Sequence, residues 1–171
     1  MRSAFDKLIS WTDHPDAGVR YFSGTATYVK TFDLSAELAP RGGTALYLDL
    51  GRMKNVAQVI VNGKDLGVLW KPPFRVDVSS AVKPGANTLE VRVTNLWPNR
   101  LIGDQQLPDD VKWSGENVAT WPQWMLDGKP SPTGRIAFAA RRHWVKGDEP
   151  LTSGLFGPVM LRVAKVEAMP R

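Results

Sequence analysis

Apolar and polar positions alternate in short bursts along most of the chain, and turn residues close each burst. Period-two alternation of this kind marks half-buried β-strands. Gly24–Phe32 (GTATYVKTF) alternates in this way. Thr44–Leu50 does so too and sets Leu46, Leu48 and Leu50 on one face. Val56–Val61 is β-branched and runs into Asn62-Gly63, the strongest short signal for a tight hairpin. The returning strand is expected over Asp65–Trp70, and Phe74–Val78 alternates again. A Lys83-Pro84-Gly85 turn leads into Asn87–Val93, where Leu89, Val91 and Val93 share a face. Gly134–Phe138 and Val159–Val166 read as two closing strands.

Helical signal is thin. Ala36–Leu38 fits one turn, and Thr120–Leu126 fits a short helix with Pro122 in its first turn. Many short strands with polar turns predict an antiparallel sandwich or barrel. The stretch from Trp97 to Lys129 breaks the pattern. It has few alternating runs and carries Trp97, Trp113, Trp121 and Trp124. So long a departure inside a compact domain points to function or to a sub-structure of its own.

Composition narrows the chemistry. At 171 residues the chain suits one domain, read as a single β-sandwich over 1–171 with an irregular Trp-rich segment at 97–129. No cysteine is present, which excludes disulfides, Cys-ligated zinc, iron–sulfur clusters and thiol catalysis. Two histidines cannot build a His-rich metal site. The net charge of +5 is evenly mixed, and no basic stripe longer than Arg141-Arg142 exists, so nucleic acid is not the expected partner. No apolar run approaches the ~20 residues of a membrane span. Residues 1–10 lack the apolar stretch of a signal peptide. The chain therefore reads either as cytoplasmic or as a piece of a longer exported protein.

Several side-chain groups offer chemistry. Trp97, Asn99, Arg100 and Asp104 combine one flat apolar surface with planar polar groups in a loop at Leu96–Asp104. A pyranose asks for this mixture, since its C–H face packs on an indole and its hydroxyls pair with Asn, Asp and Arg. The plainer alternative pairs Arg100 with Asp104 to pin the loop. Trp121 and Trp124, three apart, fall on one side of a helical turn and serve as core, as an interface, or as a sugar platform. Arg141, Arg142, His143 and Trp144 form a polar-aromatic cluster in which His143 can titrate near neutrality, or simply hydrogen-bond at the surface. Asn62 and Lys64 reach a sugar or merely make their turn. A glycosidase needs two facing carboxyl groups. Asp104, Asp109, Asp110 and Glu116 are the loop carboxylates available, with Asp104 and Glu116 the pair to consider for a small hydrolase. No esterase elbow or phosphate-binding glycine loop occurs.

The middle of the chain carries a recognisable order of motifs. L-D-L-G from Leu48, V-N-G at Val61–Gly63, P-F-x-V-D-V ending at Val78 and K-P-G-x-N-x-L-x-V-x-V ending at Val93 resemble the jelly-roll accessory domains of family 2 glycoside hydrolases. T-N-L-W-x-N-R-L-I-G-D (Thr94–Asp104), W-P-x-W (Trp121–Trp124), S-G-L-x-G-P-V (Ser153–Val159) and Y-F-S-G-T-A-T-Y (Tyr21–Tyr28) resemble the C-terminal β-sandwich of family 106 α-L-rhamnosidases. The resemblance spans roughly Trp11 to Val166. It implies an all-β fold, an antiparallel jelly-roll β-sandwich that is galactose-binding-domain-like. It also implies a parent enzyme that is periplasmic or extracellular, with its glutamate chemistry on a separate barrel of about 250 residues that this chain is too short to contain. The expected role is a non-catalytic carbohydrate-associated module, either packed on a catalytic domain or weakly holding a rhamnose-containing glycan. The expected contacts are Trp97, Asn99, Arg100, Asp104, Trp121, Trp124, Arg142 and His143. A purely structural interface is the third reading. No cofactor is expected, although jelly rolls of this type often hold a structural calcium ion, for which Asp13 and Asp16 are the available carboxylates.

Overall fold

The computed structural model describes residues 5–166. The outermost residues of the 1–171 expectation, and the first four of the stretch 1–10 read for a signal peptide, lie outside that range. The elements follow in chain order as a 3-10 turn at Trp11–Asp13, α1 (Ala17–Arg20), β1 (Thr25–Leu34), β2 (Thr44–Asp49), β3 (Arg52–Lys54), β4 (Val56–Val61), β5 (Lys64–Leu69), β6 (Arg75–Asp77) and β7 (Gly85–Thr94). After these come α2 (Pro98–Gln105), β8 (Lys112–Ser114), β9 (Asn117–Thr120), α3 (Gln123–Leu126), β10 (Gly154–Gly157) and β11 (Met160–Lys165). The fold is an all-β sandwich of antiparallel sheets. Its residues divide into two compact units.

The first unit takes the residues up to Ser10, Thr25–Asn95, and Ser153 onward. Its largest sheet has the order β1-β7-β4-β5. Register places Val59 opposite Val91, Ala57 opposite Val93 and Val61 opposite Leu89, so one apolar face runs across β4 and β7. All six of those side chains are buried, as period-two alternation demands. A second sheet has the order β11-β2-β6, with Leu161 and Val76 both opposite Leu48. Burial of one side only in each sheet is what a sandwich requires.

The hairpin expected at Asn62-Gly63 is present. Asn62 has φ 50° and Gly63 φ 80°, which matches the right-handed twist of the strands either side. Asn62 also works through its side chain. Its Oδ1 accepts from the Thr88 amide, and its Nδ2 donates to Ala81 O and to Asn87 Oδ1, both at 2.8 Å. Lys64 Nζ reaches Ser80 Oγ at 2.9 Å. These contacts fasten the turn to the chain beside it.

The second unit, Trp11–Gly24 and Leu96–Thr152, differs most from expectation. The span Leu96–Asp104, read as a loop, is mostly helix. Pro98 opens α2 at a position where its missing N–H costs nothing, a start signal that the surrounding polar residues obscure in the sequence. The Trp-rich stretch also carries the short β8–β9 hairpin and α3, with Pro122 just ahead of α3 as its cap residue. Gly134–Phe138 does not form a strand. Its amides are met by side chains instead of a ladder: Arg135 N donates to Ser131 Oγ, while Ile136 N and Ala137 N donate to Asp104 Oδ2. The short strands β3 and β10, which pair with each other in the first unit, carry no alternation of their own and were not expected.

Candidate functional site

Helix α2 sorts the first group of candidate residues by face. Asn99, Ile102 and Gly103 fall at i, i+3 and i+4 and are buried, as is Asp104. Asn99 clamps a residue far along the same chain, accepting from Leu151 N and donating to Leu151 O at 2.7 Å each. Asp104 is fully buried. Its Oδ2 takes the Ile136 and Ala137 amides, and its Oδ1 stands 2.8 Å from Arg100 Nη2 as an ion contact without hydrogen-bond alignment. Trp97 faces the other way and is 71% exposed. The four residues expected to meet one sugar therefore divide, with Asn99 and Asp104 consumed by the fold and Trp97 presented to solvent.

The second group comes together around a ring that the sequence reading did not single out. Phe138 has its centroid 5.6 Å from Trp121, 6.4 Å from Trp124 and 6.5 Å from Trp113, the last in a stacked arrangement. Arg142 lies over the Trp113 ring at 5.6 Å, within cation–π range. Trp121 keeps half its surface exposed, and Trp124 turns its indole N–H toward Asp110 O. Periodicity could not show this cluster, because Phe138 lies on an extended segment held by side chains.

A narrow cleft opens beside Phe138, lined also by Gln105, Arg135, Arg141, Arg142 and His143. Two of its arginines are anchored. Arg135 Nε donates to Asp110 Oδ1 at 2.8 Å, and both side chains are nearly sealed. Arg141 grips Glu116 through Nε and Nη2 at the surface. These bonds set the carboxyl groups. Burial alone pushes Asp110 up, but hydrogen bonds from Ser131, Arg135 and Thr133 hold it below the usual carboxylate range. Glu116 is also lowered, first by the Arg141 hydrogen bond and then by the charges of Arg141 and His143. A general acid at neutral pH needs the opposite displacement. Asp16 is occupied as well, capping α1 by accepting from Gly18 N at 2.7 Å.

The sandwich of antiparallel sheets defines a galactose-binding-like β-domain of the kind glycoside hydrolases carry. The chain belongs to the glycosyl hydrolase 2 galactose-binding domain-like family, whose profile matches residues 12–127. It is 51% identical over 159 residues to a Formosa agariphila protein named "Putative beta-glucuronidase", which covers 93% of this chain but only 14% of that protein. A solved rhamnosidase from Novosphingobium sp. PP1Y is 40% identical with a TM-score of 0.65, over 93% of this chain and 12% of its own. A Ruminococcus gnavus β-glucuronidase complex, 20% identical with a TM-score of 0.52, covers 92% of this chain and 23% of its own, and shares the fold. The chain thus spans about one seventh of the curated relative's length.

Proposed function

We propose that this chain is a non-catalytic accessory module of an α-L-rhamnosidase-like glycoside hydrolase. It packs on a catalytic domain and holds glycan weakly. The observation that carries this reading is the state of Asp104. It is the loop carboxylate best placed by sequence for catalysis, yet its oxygens are taken up by two backbone amides and a guanidinium in a fully buried position. Such a group cannot approach a glycosidic oxygen. Its proposed companion Glu116 is exposed and ion-paired to Arg141, with its carboxyl lowered. The 40% identity to a rhamnosidase supports that class of parent. Exposed Leu96, Trp97 and Ile136 give the second unit apolar surface for a neighbouring domain. A shallow sugar-binding face gains only a few kcal/mol, so affinity in the range of about 1 mM is expected.

Aryl-rhamnoside turnover by the purified chain tests the reading. The expected result is no release of chromophore above buffer. Turnover that disappears in Asp104→Asn, with the variant still folded, overturns it. Glycan-array binding and Trp fluorescence then measure the weak sugar contact.

A further inference from the structure

The cleft beside Phe138 holds more hydrogen-bonding capacity than its own residues use. Arg135 is only 3% exposed in its side chain. Its Nε is satisfied by Asp110, but its Nη2 meets no acceptor. Arg142 Nε also lacks an acceptor, and Arg142 makes no ion pair among the described residues. Gln105 Oε1 is buried without a donor. All three residues line the same cleft, with Trp144 beside them. Buried polar atoms left unpaired are few in native structures, and several around one cleft need an explanation.

The unmet atoms specify a ligand. Two guanidinium donors call for a planar acceptor with two oxygens, the geometry of a carboxylate. An unmet amide oxygen calls for a hydroxyl beside it. An indole at the cleft offers an apolar face. Charge sets the stoichiometry. Asp110 offsets Arg135 and Glu116 offsets Arg141, which leaves Arg142 as the uncompensated cation. One anionic group inside the cleft fits this balance; two do not. The enclosed space is small, so no more than the carboxylate enters it and the ring stays outside.

We propose that this cleft receives the carboxylate of a uronic acid residue in an acidic glycan. Arg135 and Arg142 hold the carboxylate, Gln105 accepts from the adjacent hydroxyl, and Trp144 packs against the ring. The three polar atoms are shielded from water, so binding requires side chains of the cleft to move. The inference rests on the accessory-module reading and names the sugar class that the module recognises.

Titration of the full chain, followed by Trp fluorescence, uses methyl β-D-glucuronide, its neutral counterpart methyl β-D-glucoside, and acetate. The glucuronide is expected to bind at least tenfold more tightly than either of the others. Arg142→Gln is expected to remove that preference while the chain stays folded, with only a small fall in melting temperature from the lost contact with Trp113. Gln105→Leu is expected to weaken the glucuronide but not acetate. Equal binding of glucuronide and glucoside overturns the inference and leaves the accessory role intact. Acetate binding as tightly as the glucuronide overturns it too, assigning the cleft to a free carboxylate or to an acidic side chain of a companion domain. Absence of binding by every probe overturns it in favour of a water-filled cleft, while the turnover assay decides the accessory role separately.

Discussion

At the residue scale, polar side chains here stand in for secondary structure. Asp104 supplies to Ile136 and Ala137 the acceptors that a neighbouring strand would provide, and Asn99 does the same for both backbone groups of Leu151. Asn87, also buried, ties its own turn by donating to Lys83 O and Gly85 O. Replacing Asp104 by Asn keeps the shape but removes the charge facing Arg100, leaving a half-sealed guanidinium without its counter-ion. A loss of about 3 kcal/mol of stability is expected, read by urea denaturation. Asp49 makes a different kind of junction. Its carboxyl is held below its usual range by the Gly51 amide, against the opposing effect of burial, and further by Arg75 and Arg162. A folded value lower than the unfolded one means the stabilisation is complete above about pH 4 and disappears as pH falls through the folded value. Acid titration of stability should therefore flatten in Asp49→Asn below pH 4 and match the parent's slope above it. Both arginines are substantially exposed, so the effect is modest. The Arg100–Asp104 pair is legible as an i, i+4 spacing, but the long-range pins are not, because partners such as Asp104 and Ala137 stand 33 residues apart and no local pattern announces them.

Among the elements, legibility follows the range of the signal. The β4–β5 hairpin is readable from the β-branched stretch Val56–Val61 and Asn62-Gly63, and its strands fall within one residue of expectation. β7 is readable from Leu89, Val91 and Val93, all of which are buried. Helix α2 is not, because its inward face carries Asn99, Gly103 and Asp104 in place of an apolar stripe. Gly103 shows how closely that face is approached. A methyl group added there would sit 2.5 Å from Tyr21 Cβ and 2.6 Å from Arg100 Nη2. The first of these neighbours lies next to the backbone and cannot swing away. Although alanine favours helix over glycine by up to ~1 kcal/mol, Gly103→Ala should destabilise the protein by about 1–3 kcal/mol through overpacking. Thermal melting checks the sign. The same distances argue that Gly103→Ala shifts Arg100 and weakens its contact with Asp104. The candidate cleft was half legible for a related reason. Arg142 and His143 stand out as polar groups beside an aromatic, whereas Phe138, Arg135 and Gln105 become partners only after the chain between them has folded.

For the molecule as a whole, the two units rest on different kinds of cohesion, and this has a measurable consequence. The first unit has extended apolar faces, with Leu46, Val59, Val61, Val91 and Val93 all nearly sealed. Each such side chain contributes about 1.5–3 kcal/mol when fully buried, and these act together across paired strands. The second unit buries few large apolar residues, among them Trp11, Ile102 and Val111, and relies on the pins made by Asn99, Asp104 and Asp110. Net contributions from hydrogen bonds are smaller, about 0.5–1.5 kcal/mol each and roughly double for charged partners. Local opening should therefore cost less in the second unit than in the first. Native-state hydrogen exchange is expected to show the amides of Val59 and Val91 exchanging only through global unfolding. Ile136 and Ala137 should exchange at least tenfold faster, through an opening that Asp104→Asn accelerates further. Uniform protection across both units would show that the polar pins close as firmly as the apolar faces. A segment that opens independently also suits a surface that takes its final protection from outside. On the proposed accessory role, Ile136, 74% exposed although its amide is bound by a buried carboxylate, should gain protection when a catalytic domain is present.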